Sequence, residues 1–386
     1  MNPPVKVLVV LGTRPEAVKL APVILELRRS PEKFVARLAV TAQHREIMDE
    51  VLSTFAIAPD HDMGIMTEGQ TPTQVASKAL AGLEAIILQE KPDALLVEGD
   101  TVTCFAGSLA AFYNRVAVGH VEAGLRTYDR WQPFPEEINR RLTTAVAAMH
   151  FAPTQAARDN LLKEGVPAEG IFLTGNTVID ALAMVKDRTS LTAELAGLTG
   201  KGRLLLVTAH RRENWGEPLR QICLALRDLA ENFQDVQIVY AVHPHPRVQE
   251  VVRAALEGVE RVMLVDFPRY MHFIALLKEA YLVLTDSGGV QEEAPGFGKP
   301  VLVLRETTER PEGVAAGMAV LCGANRKKIV EEASRLLADK GAYQRMARAV
   351  NPYGDGRASQ RIREGLEYFF GLTKERPSEF RSTVHV

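Results

Sequence analysis

The stretch Asp286-Ser287-Gly288-Gly289-Val290-Gln291-Glu292-Glu293-Ala294-Pro295, followed by Gly298-Lys299-Pro300-Val301-Leu302-Val303-Leu304 and then Glu309-Arg310-Pro311-Glu312-Gly313, decides the fold class. Just before it, Tyr281-Leu282-Val283-Leu284 is short and apolar, as a buried strand is. The order is strand, Ser-Gly-Gly turn, helix, strand, charged loop, which is the α/β pattern of a parallel sheet. A strand that ends in a small-residue turn opening a helix leaves backbone N–H groups bare at the helix start. Those donors, with the positive end of the helix dipole, favour an anion such as a phosphate. A carboxylate one turn further on is no phosphate ligand, but it suits sugar hydroxyls. The stretch therefore reads as a nucleotide site, with a diphosphate on Ser287, Gly288 and Gly289 and a ribose on Glu293. Ser-Gly-Gly alone is weak, because any parallel α/β protein has such turns. The acidic pair Glu292-Glu293 and the Arg310 loop beyond the next strand add to it.

Working outward, 386 residues of which 46% are hydrophobic exceed one ordinary core and predict two domains. The 46 basic and 48 acidic residues give a net charge of −2, so no basic excess argues for nucleic acid or an anionic membrane. A phosphorylated ligand must be held by local donors. Cys104, Cys223 and Cys322 are spaced for neither a disulfide framework nor a zinc motif, which implies a reducing compartment. The opening residues run straight into a strand pattern without the features of a signal peptide, and no apolar run approaches the roughly 20 residues that span a bilayer. A soluble cytoplasmic protein is the expectation.

The first half repeats the strand-turn-helix theme. Val5 to Leu11 is a central parallel strand, and Pro15 in Gly12-Thr13-Arg14-Pro15-Glu16 opens a helix that Pro22 should kink or restart. Arg14 and Lys19 project at the C-terminal edge of the sheet, where open α/β proteins bind ligands, although a solvated helix face is the common fate of a lone lysine. Phe34 to Val40, Ala94 to Val97, Val116 to Gly119 and Met149 to Ala152 are further strands, the last of them closing this half. Asp100 suits either a ligand crevice or the cap of the next helix. His120-Val121-Glu122-Ala123-Gly124-Leu125-Arg126 is the densest polar stretch of this half. Beyond a loop with Tyr128 and Trp131, Pro135-Glu136-Glu137-Ile138-Asn139-Arg140 opens a helix. Carboxylates there are ordinarily dipole partners, which fits Glu137. Two acidic sites bracketing a loop at the sheet edge also meet the needs of a general acid/base pair.

Gly170 to Ala181 reads as a crossover, and the charged, less patterned Lys186 to Arg203 as the boundary between domains. Leu204 to Thr208 restarts the strand pattern and ends in Ala209-His210-Arg211-Arg212-Glu213-Asn214. His243 and His245 flank Pro244 at the end of the strand Val236 to Val242. Without a carboxylate or cysteine at ligand spacing they do not make a metal motif, and no metal is expected. Phe267 at another strand end suits either a base stack or the core. Lys327 to Leu337 and Ser359 to about Leu372 are helical, and the polar tail from Thr373 should fray.

Together these motifs resemble the non-hydrolysing bacterial UDP-N-acetylglucosamine 2-epimerases. The resemblance runs from Gly12 to about Arg361 in the family's order. It rests on Gly12 to Ala17 with Lys19, Glu98-Gly99-Asp100-Thr101, His120 to Arg126, Pro135-Glu136-Glu137 with Asn139-Arg140, Thr174-Gly175-Asn176-Thr177, Thr208 to Asn214, Asp286 to Pro295, and Thr308 to Glu312. It implies the architecture of B-type glycosyltransferases: two Rossmann-like domains facing a central cleft, residues 1–175 and 176–356, with a C-terminal helix at about 357–386 crossing back to the first. It implies interconversion of UDP-GlcNAc and UDP-ManNAc without a cofactor, for cell-surface polysaccharide synthesis, by a homodimer. By motif position, Arg14, His210, Ser287, Gly288, Gly289 and Glu293 would hold UDP, with His243, Phe267 and Arg310 lining the same place. Lys19, Asp100, Glu122, Glu136, Arg140 and His210 would be the catalytic set. Some members are activated by substrate at a second site, where Gln43, His44 and Gln70 fall by position. Here Glu46 and Gly69 stand where those members carry Gln and Arg, and each change removes contacts. A hydrolysing 2-epimerase releasing ManNAc and UDP, or a UDP-sugar glycosyltransferase, would share much of this framework.

Overall fold

Strands buried on both faces are written as unbroken apolar runs, and the longest such runs become the middle of two parallel sheets. The computed structural model describes residues 3–41, 45–65, 67, 69–197 and 202–381. The chain divides into two compact units, one holding the residues up to Ala181 together with the segment from Tyr353, the other Leu182–Pro352.

In the first unit the strands are β1 (Val5–Leu11), β2 (Phe34–Val40), β3 (His61–Asp62), β4 (Ala94–Glu98), β5 (Ala117–Val121), β6 (Met149–Ala152) and β7 (Ile171–Leu173). They form one sheet in the order β3-β2-β1-β4-β5-β6-β7. Val7 to Leu11 and Ala94 to Val97 are wholly buried. In the second unit β8 (Arg203–Thr208), β9 (Val236–Val242), β10 (Val262–Asp266), β11 (Leu282–Thr285), β12 (Val301–Val303) and β13 (Ala319–Leu321) are ordered β10-β9-β8-β11-β12-β13. Each sheet thus builds outward from its first strand, then reverses. The reversals lie between β1 and β4, and between β8 and β11. At such a switch point the loops after neighbouring strands part and leave a crevice beyond the strands' C-terminal ends.

Several expectations change. The helix Arg14–Arg28 runs through Pro22 without a break. Val18, Leu20, Val23, Ile24 and Leu27 on it are buried. That burial offsets the roughly 3 kcal/mol an interior proline costs. The segment read as a crossover after Gly170 supplies β7, so Met149–Ala152 is not the last strand of its sheet. The helix Val102–Tyr113 is capped by Thr101, whose hydroxyl accepts from Cys104 N, and not by Asp100. The tail does not fray up to its last described residues: Phe380 is buried and its N–H donates to Leu173 O at 2.8 Å.

The helix Ala358–Phe369 belongs to the first unit. The Asp180 carboxylate accepts from the N–H groups of Ala358 (3.1 Å) and Ser359 (2.8 Å) and from the Ser359 hydroxyl (2.6 Å). Lys33 to Glu367 (3.0 Å) and Arg363 to Glu26 (3.0 Å) tie the same helix to earlier elements. Among the described residues no helix is long and apolar enough to cross a membrane.

Candidate active site

In the first unit the polar groups gather where β1, β4 and β5 end. Glu16, in the first turn of its helix, is 1% exposed. Its carboxylate accepts from Gly12 N (3.0 Å), Thr13 N (2.6 Å) and the Thr101 hydroxyl (2.7 Å), binding the loop after β1 to the loop after β4. Burial pushes its carboxyl up, against the pull of those hydrogen bonds. One turn on, the buried Lys19 ammonium donates to Glu122 Oε1 and lies 3.0 Å from Glu98 Oε1. Asn176 Nδ2 donates to the same Glu122 oxygen at 2.9 Å. Burial drives the Glu98 carboxyl well up; Lys19 opposes this and neighbouring Glu122 adds to it. Glu122 itself sits at φ 61. A left-handed non-glycine residue costs about 1–3 kcal/mol and persists only where its surroundings hold it. Here Lys19 and Asn176 hold its side chain.

Beside this triad, Arg140 donates to Asp100 Oδ2, and Asn139 Nδ2 donates to Asp100 O at 3.0 Å. Glu137, in the first helical turn as a dipole partner would be, is also fully buried and accepts from Thr127 N and Tyr128 N, both at 3.1 Å, with Arg140 Nη1 at 3.5 Å. It is a brace for the loop that follows Glu122. Glu136 next to it is half-buried, as is Arg14. His120, fully buried, donates from Nε2 to Gly99 O at 2.7 Å, and burial lowers its imidazole to about 3.

In the second unit the polar groups gather past β8 and β11. Asp286 is fully buried. Its Oδ2 accepts from His210 N (2.8 Å), Arg211 N (2.8 Å) and Asn214 Nδ2 (2.9 Å). His210 is half-buried and stacks on His243 with ring centroids 5.1 Å apart and planes at 15°, while Phe267 meets it edge-on at 6.4 Å. Phe267 also stacks on Phe273 at 5.8 Å, so it serves both the core and this face. His245 caps the helix Pro246–Leu256 and stacks on Trp215 at 4.4 Å. Among the described residues no three His, Cys, Asp or Glu side chains form a metal-binding group.

The Ser-Gly-Gly turn differs from its expected form in two respects. The helix it opens, Gly288–Glu293, is only six residues long before a 3-10 turn at Ala294–Phe297. Ser287 N–H is taken by Thr285 Oγ1 at 2.9 Å. Gly288 and Gly289 sit at the helix start, where N–H groups have no acceptor within the helix. The two glycines have different reasons to be glycine. A Cβ on Gly288 would lie 2.4 Å from Arg310 Nη1, whereas one on Gly289 would meet no protein atom within 4 Å. Arg310 is held at 2.7 Å by both Glu292 and Glu309. Glu309 also holds Arg305 at 2.7 Å, and Arg305 reaches Glu213 at 2.6 Å. Glu292 thus serves Arg310, and Glu293 beside it is buried.

The structure brings Lys19 and Glu122 together, Asp100 and Arg140 together, and His210, His243 and Phe267 together. Gln43 and His44 lie outside the described residues. Gln70 folds onto its own loop, accepting from Thr67 N (2.8 Å) and donating to Ile65 O (3.1 Å). Sequence reasoning gave no role to Glu16, Glu98, Asn176 or Asp286. Glu98 closes its strand and Asp286 directly follows its own; a carboxylate at the C-terminal end of a buried strand is the signal for both.

A family model described as UDP-N-acetylglucosamine 2-epimerase matches residues 25–367. The chain is 52% identical over 370 residues to the UDP-N-acetylglucosamine 2-epimerase of Escherichia coli (strain K12), covering 94% of this chain and 98% of that protein. Its fold matches the crystal structure of UDP-GlcNAc 2-epimerase from Neisseria meningitidis bound to UDP-GlcNAc, with a TM-score of 0.90 and 44% identity over 94% of this chain and 99% of that one. It also matches the Methanocaldococcus jannaschii UDP-GlcNAc 2-epimerase in complex with UDP-GlcNAc and UDP, with a TM-score of 0.83 and 34% identity over 94% and 99% of the two chains.

Proposed function

The chain belongs to the UDP-N-acetylglucosamine 2-epimerase family, and on that premise we propose that it interconverts UDP-GlcNAc and UDP-ManNAc by removing UDP from C1 and returning it. The C2 proton of an N-acetyl hexose is not acidic, so deprotonation alone would make a free carbanion. Elimination avoids this. A base takes the C2 proton, the C1–O bond breaks with its electron pair on UDP, and a C1=C2 double bond remains in 2-acetamidoglucal. UDP then re-adds at C1 while a proton reaches C2 from the other face. Neither elimination nor re-addition transfers a hydride, so this route calls for no hydride carrier.

Acid/base help supplies about 10²–10⁴-fold, short of the 10⁶-fold or more typical of enzymes. Stabilising the charge on departing UDP must supply most of the rest. A six-residue helix end offers at most about 2 kcal/mol, and each charge-assisted hydrogen bond roughly 1.5–3 kcal/mol. In this reading Arg14, His210 and the Ser287-Gly288-Gly289 turn therefore dominate together, with His243, Phe267 and Arg310 around them and Glu293 on the ribose. Asp100, Glu122 and Glu136 move protons. Lys19 compensates the buried carboxylates Glu98 and Glu122, and Arg140 steadies Asp100.

One observation carries the reading: the Glu122 carboxylate, strained at its backbone, is fixed by Lys19 and Asn176 at the open end of the sheet. The test is an NMR assay of UDP-GlcNAc in deuterated water. Product carrying deuterium at C2, with traces of UDP and glycal, is expected. Full retention of the original hydrogen would exclude elimination, free ManNAc as the main product would mean hydrolysis, and turnover only with an added acceptor would mean glycosyl transfer.

A further inference from the structure

We infer that Asp286 is a positioning residue for His210: it fixes the proton on Nδ1, leaves Nε2 to face the bound anion, and supports the doubly protonated ring while that anion is present. The two residues follow β8 and β11, which are hydrogen-bonded neighbours with Thr208 paired to Thr285. Asp286 N–H donates to Thr208 O at 3.1 Å, and the Thr208 and Thr285 hydroxyls meet at 2.6 Å. The spacing of the pair is thus set by the sheet and not by a loop.

The two carboxylate oxygens are used unequally. Oδ2 takes three donors, one of them the backbone N–H of His210 itself. Oδ1 is buried without a hydrogen bond, and so is His210 Nδ1. These two atoms face each other 3.6 Å apart. That is somewhat beyond the roughly 2.7–3.2 Å of an N–H···O bond, and a small turn of the ring closes it. His243 stacked on one face and Phe267 at the edge limit the ring to such a turn, and Trp215 Nε1, donating to His210 O at 3.0 Å, anchors the backbone that carries it. The charged and titratable groups around the ring are Asp286 just past β11, His243 just past β9 and Arg211 in its own loop. Burial lowers the imidazole, Asp286 raises it and Arg211 adds to the lowering. A diphosphate arriving beside Nε2 joins Asp286 in favouring the cation, so binding should draw a proton from solution. Neutral and single-handed at rest, the ring becomes a two-handed donor when the anion is there.

This rests on the reading that His210 meets the nucleotide, and calorimetry of UDP binding separates the two. At pH 7.5, in buffers of different ionisation enthalpy, the wild-type protein should take up a fraction of a proton per UDP. Asp286→Asn can keep an oxygen on the three donors while turning its amide N–H toward Nδ1. It should bind UDP without that uptake, lose about a hundredfold in kcat, and lose the histidine limb of its pH profile. UDP binding with no proton uptake in the wild type overturns the inference and leaves the functional reading standing. No UDP binding at all overturns both. If Asp286→Asn does not fold, the ¹⁵N shifts of His210 in the wild type decide. Both ring nitrogens protonated with UDP bound supports the inference, and a neutral ring with its proton on Nε2 overturns it.

Discussion

In the first unit the cation is the hidden member of its pair: the Arg140 side chain is 4% exposed and that of Asp100 25%. In the second unit the order is reversed, with Asp286 at 0% and His210 at 26%. Both pairs stand beyond the strand ends of a sheet with the same winding, and each draws on the strand just past the switch point, β4 or β11. What differs is which charge is used as a strut and which is presented. In the first unit the Arg140 cation lies behind the Asp100 carboxylate, which in the proposed function moves protons. In the second a carboxylate lies behind nitrogen donors, which in the proposed function hold an anion. The same topology thus hosts complementary chemistry by inverting one pair of residues.

The sharpest break in this comparison is Glu122→Gln. It should cut C2 exchange by about 10²–10⁴-fold while UDP still binds; exchange at the wild-type rate would remove this carboxylate from the reaction. Next is stability. Arg140→Met takes a buried cation from both Asp100 and Glu137 and should cost about 3–5 kcal/mol in urea unfolding. Asp100→Asn leaves Arg140 its contact with Glu137 and should cost about 1 kcal/mol. Equal losses would erase the distinction between strut and tool. In the second unit, Gly288→Ala drives a methyl into the Arg310 guanidinium and should destabilise by roughly 1–3 kcal/mol. Gly289→Ala should leave stability alone and weaken UDP binding, which titration would show; the opposite outcome would move the anion off this turn.

The smallest effect concerns acid. Burial lowers His120 from 6.5 to about 3, so its contribution is present above pH 6.5 and fades as the pH falls toward 3. Between pH 7 and 5 the loss should be on the order of 1–2 kcal/mol. His120→Gln should flatten that slope in unfolding measured across the range, and an unchanged slope would place the acid sensitivity elsewhere.

The two sheets were legible because strands covered on both faces leave continuous apolar runs, as in Val7 to Leu11 and Leu204 to Val207. The candidate residues were legible because they sit where such runs stop. The edge strands β3 and β13 were not: they have two and three residues, too few to show a period. The helix Lys340–Ala347 escaped notice as well, being short and charged. Pairings over long sequence distances, such as Asn176 with Glu122 or Asp286 with His210, leave no local trace. The sequence offers each member and is silent on its partner. Nor did it show that Arg310, read as a lining residue, covers Gly288 under the grip of two carboxylates.

The first unit takes its final helix from residues that follow the whole of Leu182–Pro352. On the ribosome, Asp180 emerges long before Ala358 and Ser359, which supply its three donor groups. At typical synthesis rates the wait is roughly 10–30 s. Throughout it the N-terminal half is incomplete, whereas the C-terminal half has every strand it needs once Leu321 has been made. A nascent chain cut short near Pro352 would therefore lose the half that was made first.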